Sequence, residues 1–364
     1  LIGQPILSCI IVVSLTTFFL LSFMKEVGII GAGGLTGKEL LKLLNQHRYF
    51  VPVHITSNQY AGKKVKEVFP DLQLNKIADL KFSHHDESIP EKIPLFLATP
   101  NKESMELVNQ FYKKENRVVI DLSGSYRIDN LEIFNKFYGF EHKYPEILSE
   151  KVYGLTEVYR DVIRNSMFVS NPGCYPTSVL IPLFYFREFI KNAENIIVDS
   201  KSGVSGAGGR VENAGFSFQN VYENFRAYKI LKHQHEPEIA QYLNEFSGFN
   251  GNIVFTPHLL PIFRGILSTI VITWKKDFQP NDIEFYQKIQ KATEKEPFVR
   301  FYKSPEEIEL KNVQFTNYCD FAFRSRDNIT VIVSAIDNLV KGAAGQALQN
   351  LNLVLDYDEV EGLK

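Results

Sequence analysis

Cysteine is scarce. The 364 residues hold three, Cys9, Cys174 and Cys319, far apart and with no C-x-x-C spacing. That argues against a disulfide framework or a structural zinc site and fits a reducing compartment. A dominant charge is missing too: 40 Lys and Arg against 42 Asp and Glu leave a net charge of −2. Nothing there favours nucleic acid, and a small partner must be recognised locally. Internal repeats and low-complexity linkers are absent. Hydrophobic residues at 45% and charged residues at 23% exclude a wholly disordered chain. The length suggests two or three domains.

Charge is absent altogether from residues 1–24, where residues 6–23 form an apolar-rich run of 18. That length is at the threshold for a membrane helix. No positive n-region or small-residue cleavage site marks a signal peptide. Only Lys25 and Glu26 separate Met24 from a new apolar strand. We read residues 1–23 as extraneous to the native protein, for instance translated upstream sequence. A membrane anchor is the alternative, and membrane fractionation separates the two.

Beyond that leader, residues 27–30 read as a strand running into Gly31-Ala32-Gly33-Gly34-Leu35-Thr36-Gly37. Residues 38–46 carry leucines at 40, 41, 43 and 44 in a helical pattern, and residues 53–57 form a second strand. Strands at 95–99 and 118–122 flank a helix at 102–114, an alternation that predicts a doubly wound parallel sheet. The middle changes character, with strands at 195–202, 252–256, 266–274 and 329–337. In residues 266–274, Ser268, Ile270, Ile272 and Trp274 share one face, as in an antiparallel sheet covered by helices. A final helix spans 341–355. The expected organisation is a nucleotide-binding domain at 24–172, an α+β catalytic and dimerisation domain at 173–337, and a segment, 338–364, returning to the first domain.

The G-x-x-G-x-x-G loop of Gly31, Gly34 and Gly37 stands between strand and helix. Glycines there let backbone approach a pyrophosphate, and the helix N-terminus offers free N–H groups. The strand–loop–helix–strand context favours a dinucleotide over a plain structural turn. After the second strand comes Thr56-Ser57-Asn58-Gln59, with no carboxylate to hold ribose hydroxyls or repel a 2′-phosphate. Ser57 and Asn58 are able to donate to one, which leans toward NADP.

Asn171-Pro172-Gly173-Cys174-Tyr175-Pro176-Thr177 precedes an apolar segment. Pro and Thr suit a first helical turn, placing Cys174 at a helix N-terminus, where a thiolate is stabilised and its pKa lowered. A thiolate attacks acyl-phosphate carbons; a small buried hydrophobe is the competing reading. Cys319 lacks that entry and reads as structural. The serines and glycines from Ser202 and Gly203 to Gly209 permit backbone contact with a ligand. His233 and His235 place two imidazoles two residues apart, either able to exchange a proton at Cys174. No third ligand accompanies them for a metal. Arg264 is able to clamp a carboxylate or phosphate.

Together these motifs resemble the N-acetyl-gamma-glutamyl-phosphate reductases of the semialdehyde dehydrogenase superfamily. The resemblance rests on GAGGLTGKEL from Gly31, SNPGCYPT from Ser170, HQHEPEI from His233, FTPHLLPIFRGI from Phe255 and DNLVKGAAGQ from Asp337. It runs in order from Met24 to about Leu355. Departures stand at Leu35 for Tyr, Asn58 for Arg, Asn101 for His and Gln234 for Arg.

The resemblance implies a Rossmann-type fold and NADPH-dependent reduction of N-acetyl-L-glutamyl 5-phosphate to the 5-semialdehyde, in arginine biosynthesis. Cys174 carries a thioester, with His235 first and His233 second for proton transfer. It implies cofactor contacts at Gly31, Gly33, Gly34, Leu35, Thr36, Gly37, Ser57, Asn58, Ser202, Gly203, Asn338, Lys341 and Gly342. It implies substrate contacts at Arg127, Asn171, Glu223 and Arg264, and no metal. The expected setting is cytoplasmic, as a homodimer or homotetramer, with a small acyl-phosphate substrate and neither nucleic acid nor membrane as partner. An N-succinyl-glutamyl, aspartyl or aminoadipyl substrate remains the alternative, as does a nucleotide-binding sensor without catalysis.

Overall fold

The computed structural model describes residues 24–207 and 218–363. The reading of residues 1–23 therefore lies outside the described residues, as does that of Gly208 and Gly209. Among the described residues no helix is long and apolar enough to cross a membrane.

The first half builds a seven-stranded sheet from β1 (Lys25–Ile30), β2 (Phe50–Thr56), β3 (Phe82–Ser83), β4 (Leu95–Leu97), β5 (Val119–Asp121), β6 (Val152–Tyr153) and β7 (Phe168–Ser170). Its order is β3-β2-β1-β4-β5-β7-β6, and every pairing is parallel. Parallel strands need crossovers, so helices cover both faces. Val27, Ile29, Phe96 and Ile120 pack with Leu40, Leu41 and Leu44 of the helix Leu35–Gln46. Ile30, Leu95, Leu97 and Val119 pack on the other side with Met105, Val108 and Phe111. The expected doubly wound sheet is present. Strand order reverses at β1, and a ligand crevice opens there beyond the strand ends. The expected helix at 102–114 divides into an α-helix, Asn101–Val108, and a wider π turn, Asn109–Lys114.

The second sheet comprises β8 (Ala193–Ser202), β9 (Arg226–Ala227), β10 (Asn252–Leu259), β11 (Ile266–Trp274), β12 (Val299–Phe301), β13 (Cys319–Arg326) and β14 (Ile329–Ile336). Its order is β12-β13-β14-β11-β8-β10-β9, with mixed directions. Ser268, Ile270, Ile272 and Trp274 of β11 all face inward. Helices Cys174–Tyr185, His235–Ser247 and Asp282–Thr293 contribute to that core. The helix Cys174–Tyr185 is apolar almost all round and nearly all buried, as a helix enclosed on every side requires. The last helix, Gly345–Val354, buries Ala347, Leu348 and Leu351 in the cluster that holds Val27 and Leu40 of the first unit.

Candidate active site

The glycine loop sits at the switch point. Gly31 has φ +88°, and a Cβ there would lie 2.6 Å from the Ala98 carbonyl oxygen. A Cβ on Gly37 would lie 2.5 Å from Ala32 backbone, and one on Gly33 2.4 Å from Ser57 Oγ. Gly34 meets nothing closer than 3.9 Å. It stands at the N-cap of Leu35–Gln46 and no side chain caps that helix, so its first N–H groups remain for an anion. The loop thus fits a dinucleotide pyrophosphate. Thr36 lines a cleft between the two units. Ser57 and Asn58 follow β2 at the edge of the loop. Asn58 Oδ1 accepts from His85 N at 3.0 Å, leaving its amide N–H groups as donors.

That cleft holds about 350 Å³ and brings together Arg127, Cys174, Ser205, His233, His235, Asn338 and Gly342. Asp121 ends β5 and accepts at 2.9 Å from Ser123 N and from Ser123 Oγ. This pins the turn that delivers Arg127. Arg127 Nε donates to Asn171 O and Nη2 to Leu122 O, both at 2.8 Å. Cys174 opens its helix as expected, with Gly173 at the N-cap. Gly342 packs against it so closely that a Cβ there would lie 2.8 Å from Cys174 Cβ. His235 begins the helix His235–Ser247, and its ring lies over Gly173, where an added Cβ would be 2.5 Å from Nε2. His235 N donates to His233 Nδ1 at 3.2 Å, so the proton of a neutral His233 sits on Nε2.

One expectation is corrected in the resting site. Burial pushes the Cys174 thiol up to about 11, although Arg127 and the N–H groups of the first helical turn pull the other way. Desolvation outweighs the helix terminus. Burial also lowers His233 to about 3 and holds His235 well below its ordinary value. Thiol and imidazoles both rest neutral. Cys319 is fully buried on β13, its thiol pushed up to about 12, as a structural residue would be.

Among the other expected contacts, Arg264, Lys341, Asn171 and Glu223 do not line the cleft, nor do Leu35, Ser202 and Gly203. Arg264 is taken up by Glu39 at 2.7 Å and Asp337 at 3.1 Å, and stacks on Phe315. Lys341 Nζ is buried against Glu157 at 2.6 Å and Gln349 at 2.9 Å. The Asn171 side chain bonds Ala343 O and Asn350. Glu223 is exposed at a positive φ of 55° and does not line the cleft. Each was placed by its neighbours in sequence, whereas long-range ion pairs or backbone direction decide its orientation. Ser202 and Gly203 lie at the base of the turn that brings Ser205 and Gly206 to the cleft.

Glu238, one turn after His235, and Tyr153 join the site with no role expected of them from sequence. Glu238 Oε1 accepts from Gly173 N and from Tyr153 Oη, both at 2.8 Å. The i, i+3 spacing from His235 was the available signal. Asn101, Ser123 and Tyr138 also line the cleft unanticipated in that role.

Comparison with known proteins follows the same division. Residues 26–166 match the model of the semialdehyde dehydrogenase NAD binding domain, and residues 174–338 that of the semialdehyde dehydrogenase dimerisation domain. The chain is 52% identical over 342 residues to N-acetyl-gamma-glutamyl-phosphate reductase of Leptospira borgpetersenii, covering 93% of this chain and 99% of that one. It is 42% identical to the enzymes of that name from Acinetobacter baylyi and Methanococcus maripaludis, covering 93% and 98% in each case. Among solved structures, aspartate semialdehyde dehydrogenase II of Vibrio cholerae superposes with a TM-score of 0.69 at 16% identity, covering 92% of this chain and 98% of that one. The Candida albicans aspartate semialdehyde dehydrogenase, solved with NADP, gives 0.63 at 16% identity over the same shares. Those two likenesses are of fold.

Proposed function

The chain belongs to the N-acetyl-gamma-glutamyl-phosphate reductases of the semialdehyde dehydrogenase family, and on that footing we propose that it reduces N-acetyl-L-glutamyl 5-phosphate to the 5-semialdehyde with NADPH, through a thioester on Cys174. The observation that carries this reading is Cys174 at the start of a buried helix, in one cleft with Arg127, His235 and Thr36 of the glycine loop.

Arg127, anchored by two carbonyls, presents its remaining guanidinium N–H groups to an anionic substrate. Cys174 Sγ bonds to the acyl carbon, the carbon–oxygen bond to phosphate breaks, and inorganic phosphate leaves. His235 takes the thiol proton as the carbon–sulfur bond forms, since both groups rest neutral. The negative substrate favours the resulting imidazolium. N–H groups of the first turn of the Cys174 helix stabilise the oxyanion. Gly31, Gly33, Gly34, Thr36 and Gly37 would hold the pyrophosphate, and Ser57 and Asn58 the 2′-phosphate. Bound NADPH supplies the hydride that reduces the thioester carbon. His235 gives its proton to the oxyanion of the reduced adduct and removes it again as the aldehyde leaves and sulfur is reprotonated.

Two free cysteines among the described residues suit a reducing cytoplasmic setting. The dimerisation model matched by residues 174–338 supports a homodimer or a tetramer built from it. The place of the reaction is arginine biosynthesis.

The test runs the reaction backwards: NADP reduction dependent on phosphate, with N-acetylglutamate, N-succinylglutamate and aspartate semialdehydes as substrates. The reading expects turnover of the N-acetylated substrate and a higher kcat/KM with NADP than with NAD. Turnover of aspartate semialdehyde alone, or a clear NAD preference, overturns the corresponding part.

A further inference from the structure

Lys341 is a cation sealed away from both the cleft and water. Its side chain is fully buried, with Nζ 2.6 Å from Glu157 Oε1, 2.9 Å from Gln349 Oε1 and 5.7 Å from the centre of the Phe298 ring. Glu157 is buried as well, and its Oε2 has no hydrogen-bond partner. Such a pair adds little to stability, because desolvation offsets the attraction and apolar side chains of like volume often serve as well. What it fixes is position. Glu157 lies in the first turn of the helix Thr156–Ile163, between β6 and β7 of the first unit. Lys341 lies in a turn whose other face lines the cleft.

That turn is a π turn, Val340–Ala344. Gly342 N donates to Asp337 O and Ala344 N to Leu339 O, each across five residues and at 2.9 Å. Its wider coil, one residue more than an α-helical turn, sets Asn338, Leu339, Gly342 and Ala343 along the cleft, while Lys341 runs away from it into the ion pair. Gly342 meets the thiol-bearing residue itself: an added Cβ would lie 2.8 Å from Cys174 Cβ and 3.2 Å from Cys174 Cα. Asn171 Nδ2 donates to Ala343 O at 3.2 Å, which holds the far end of the same turn. Within Val340–Ala344, Lys341 is the only charged residue. Its ion pair crosses from the turn to the first unit.

We infer that Lys341 is a positioning residue: through Glu157 it holds the π turn Val340–Ala344 so that Gly342 backs Cys174, which ties the wall behind the thiol to the first unit. The inference rests on Cys174 being the nucleophile. The clearance at Gly342 is why the anchor matters. Backbone stands against Cys174 with no room for one further carbon, so a shift of the turn by a fraction of an ångström changes the space in which the thiol meets an acyl carbon. Removing the cation alone leaves Glu157 buried and unpaired, which disturbs the fold and the turn together. Removing both charges relieves the fold and still releases the turn. Stability and positioning therefore separate in the double variant.

The test compares Lys341→Met with the double variant Lys341→Met, Glu157→Met. Three readings are taken on each: Tm; kcat and KM; and the rate of Cys174 alkylation by iodoacetamide, followed on its own peptide. Lys341→Met should lower Tm by at least about 5 °C. The double variant should return Tm to within about 3 °C of wild type, since two apolar side chains replace a buried pair. Its kcat should nevertheless stay at least about thirtyfold below wild type with KM changed less than about threefold, the pattern of misalignment. Its alkylation rate should differ from wild type by at least about threefold, as access to the thiol changes. A double variant of recovered Tm in which either kcat or the alkylation rate is that of wild type overturns the inference. So does a double variant that fails to fold or keeps the low Tm of the single one, because the pair then serves the fold itself. Activity retained in Cys174→Ser would instead overturn the nucleophile reading; inactivity there with wild-type kcat in the double variant removes the positioning role only.

Discussion

Two neutral histidines inside the site tie the protein's stability to acidity. Burial lowers His233 from 6.5 to about 3, and burial, reinforced by the Arg127 charge, holds His235 well below 6.5. An unfolded chain binds protons at both rings below about pH 6.5, whereas the folded chain does not until far lower pH. Stability is therefore full above that pH and falls as pH drops below it, by up to about 1.4 kcal/mol per unit for each ring, with His233 contributing down to about pH 3. Melting temperature measured from pH 7.5 to 5 should fall in wild type and fall less steeply in His233→Asn; equal slopes would contradict the assignment. The same neutral imidazole is what a base needs at pH 7. His235→Asn should lower kcat by about 10²–10⁴ and leave NADPH affinity unchanged, because the cofactor contacts we propose lie on the Gly31 loop. A normal kcat in that variant takes His235 out of the mechanism.

At the scale of elements, the glycines of the nucleotide loop are unequal. Gly37 cannot take a side chain without meeting Ala32 backbone at 2.5 Å, whereas a Cβ on Gly34 would make only an ordinary contact, 3.9 Å from Gly31 O. Gly37→Ala should weaken NADPH binding more than about tenfold, since the loop must deform to accept it. Gly34→Ala should bind within about threefold of wild type. Fluorescence titration of NADPH separates the two, and equal effects would contradict the geometry. This loop, the Cys174 helix start and the alternation of β11 were legible because each is local: a turn, a cap or a period of two declares itself within ten residues. β13 was not legible. Cys319-Asp320-Phe321-Ala322-Phe323-Arg324 mixes charges into the strand, and Asp320 is tolerable there only because Arg300 on β12 meets it at 2.6 and 2.8 Å. Glu238 escaped notice for the same reason, since its partners lie 65 and 85 residues away in sequence. Arg264 and Lys341 were assigned to ligands because a lone cation in a motif does not reveal the buried carboxylate that claims it.

The molecule as a whole depends on its two units being fixed across the cleft, and Arg264 spans that boundary. It links Glu39 on the helix after β1 with Asp337 beyond β14, all three largely buried. Arg264→Met takes the buried guanidinium from both carboxylates, leaving Glu39 with Lys42 at 3.6 Å and Asp337 with backbone N–H donors alone, and should cost about 3–5 kcal/mol in unfolding free energy, with substrate KM little changed in the folded enzyme. A large KM effect without loss of stability would return Arg264 to the substrate. The cleft that this packing preserves would let an acyl phosphate meet Cys174 while a reductant waits on the glycine loop. The measurement closest to that claim is mass spectrometry of the protein quenched after mixing with N-acetyl-L-glutamyl 5-phosphate in the absence of NADPH. An N-acetylglutamyl adduct is expected on the peptide carrying Cys174, with matching phosphate release, and none in Cys174→Ser. Full turnover on adding NADPH with no adduct at Cys174, or an adduct on Cys319 instead, would contradict it.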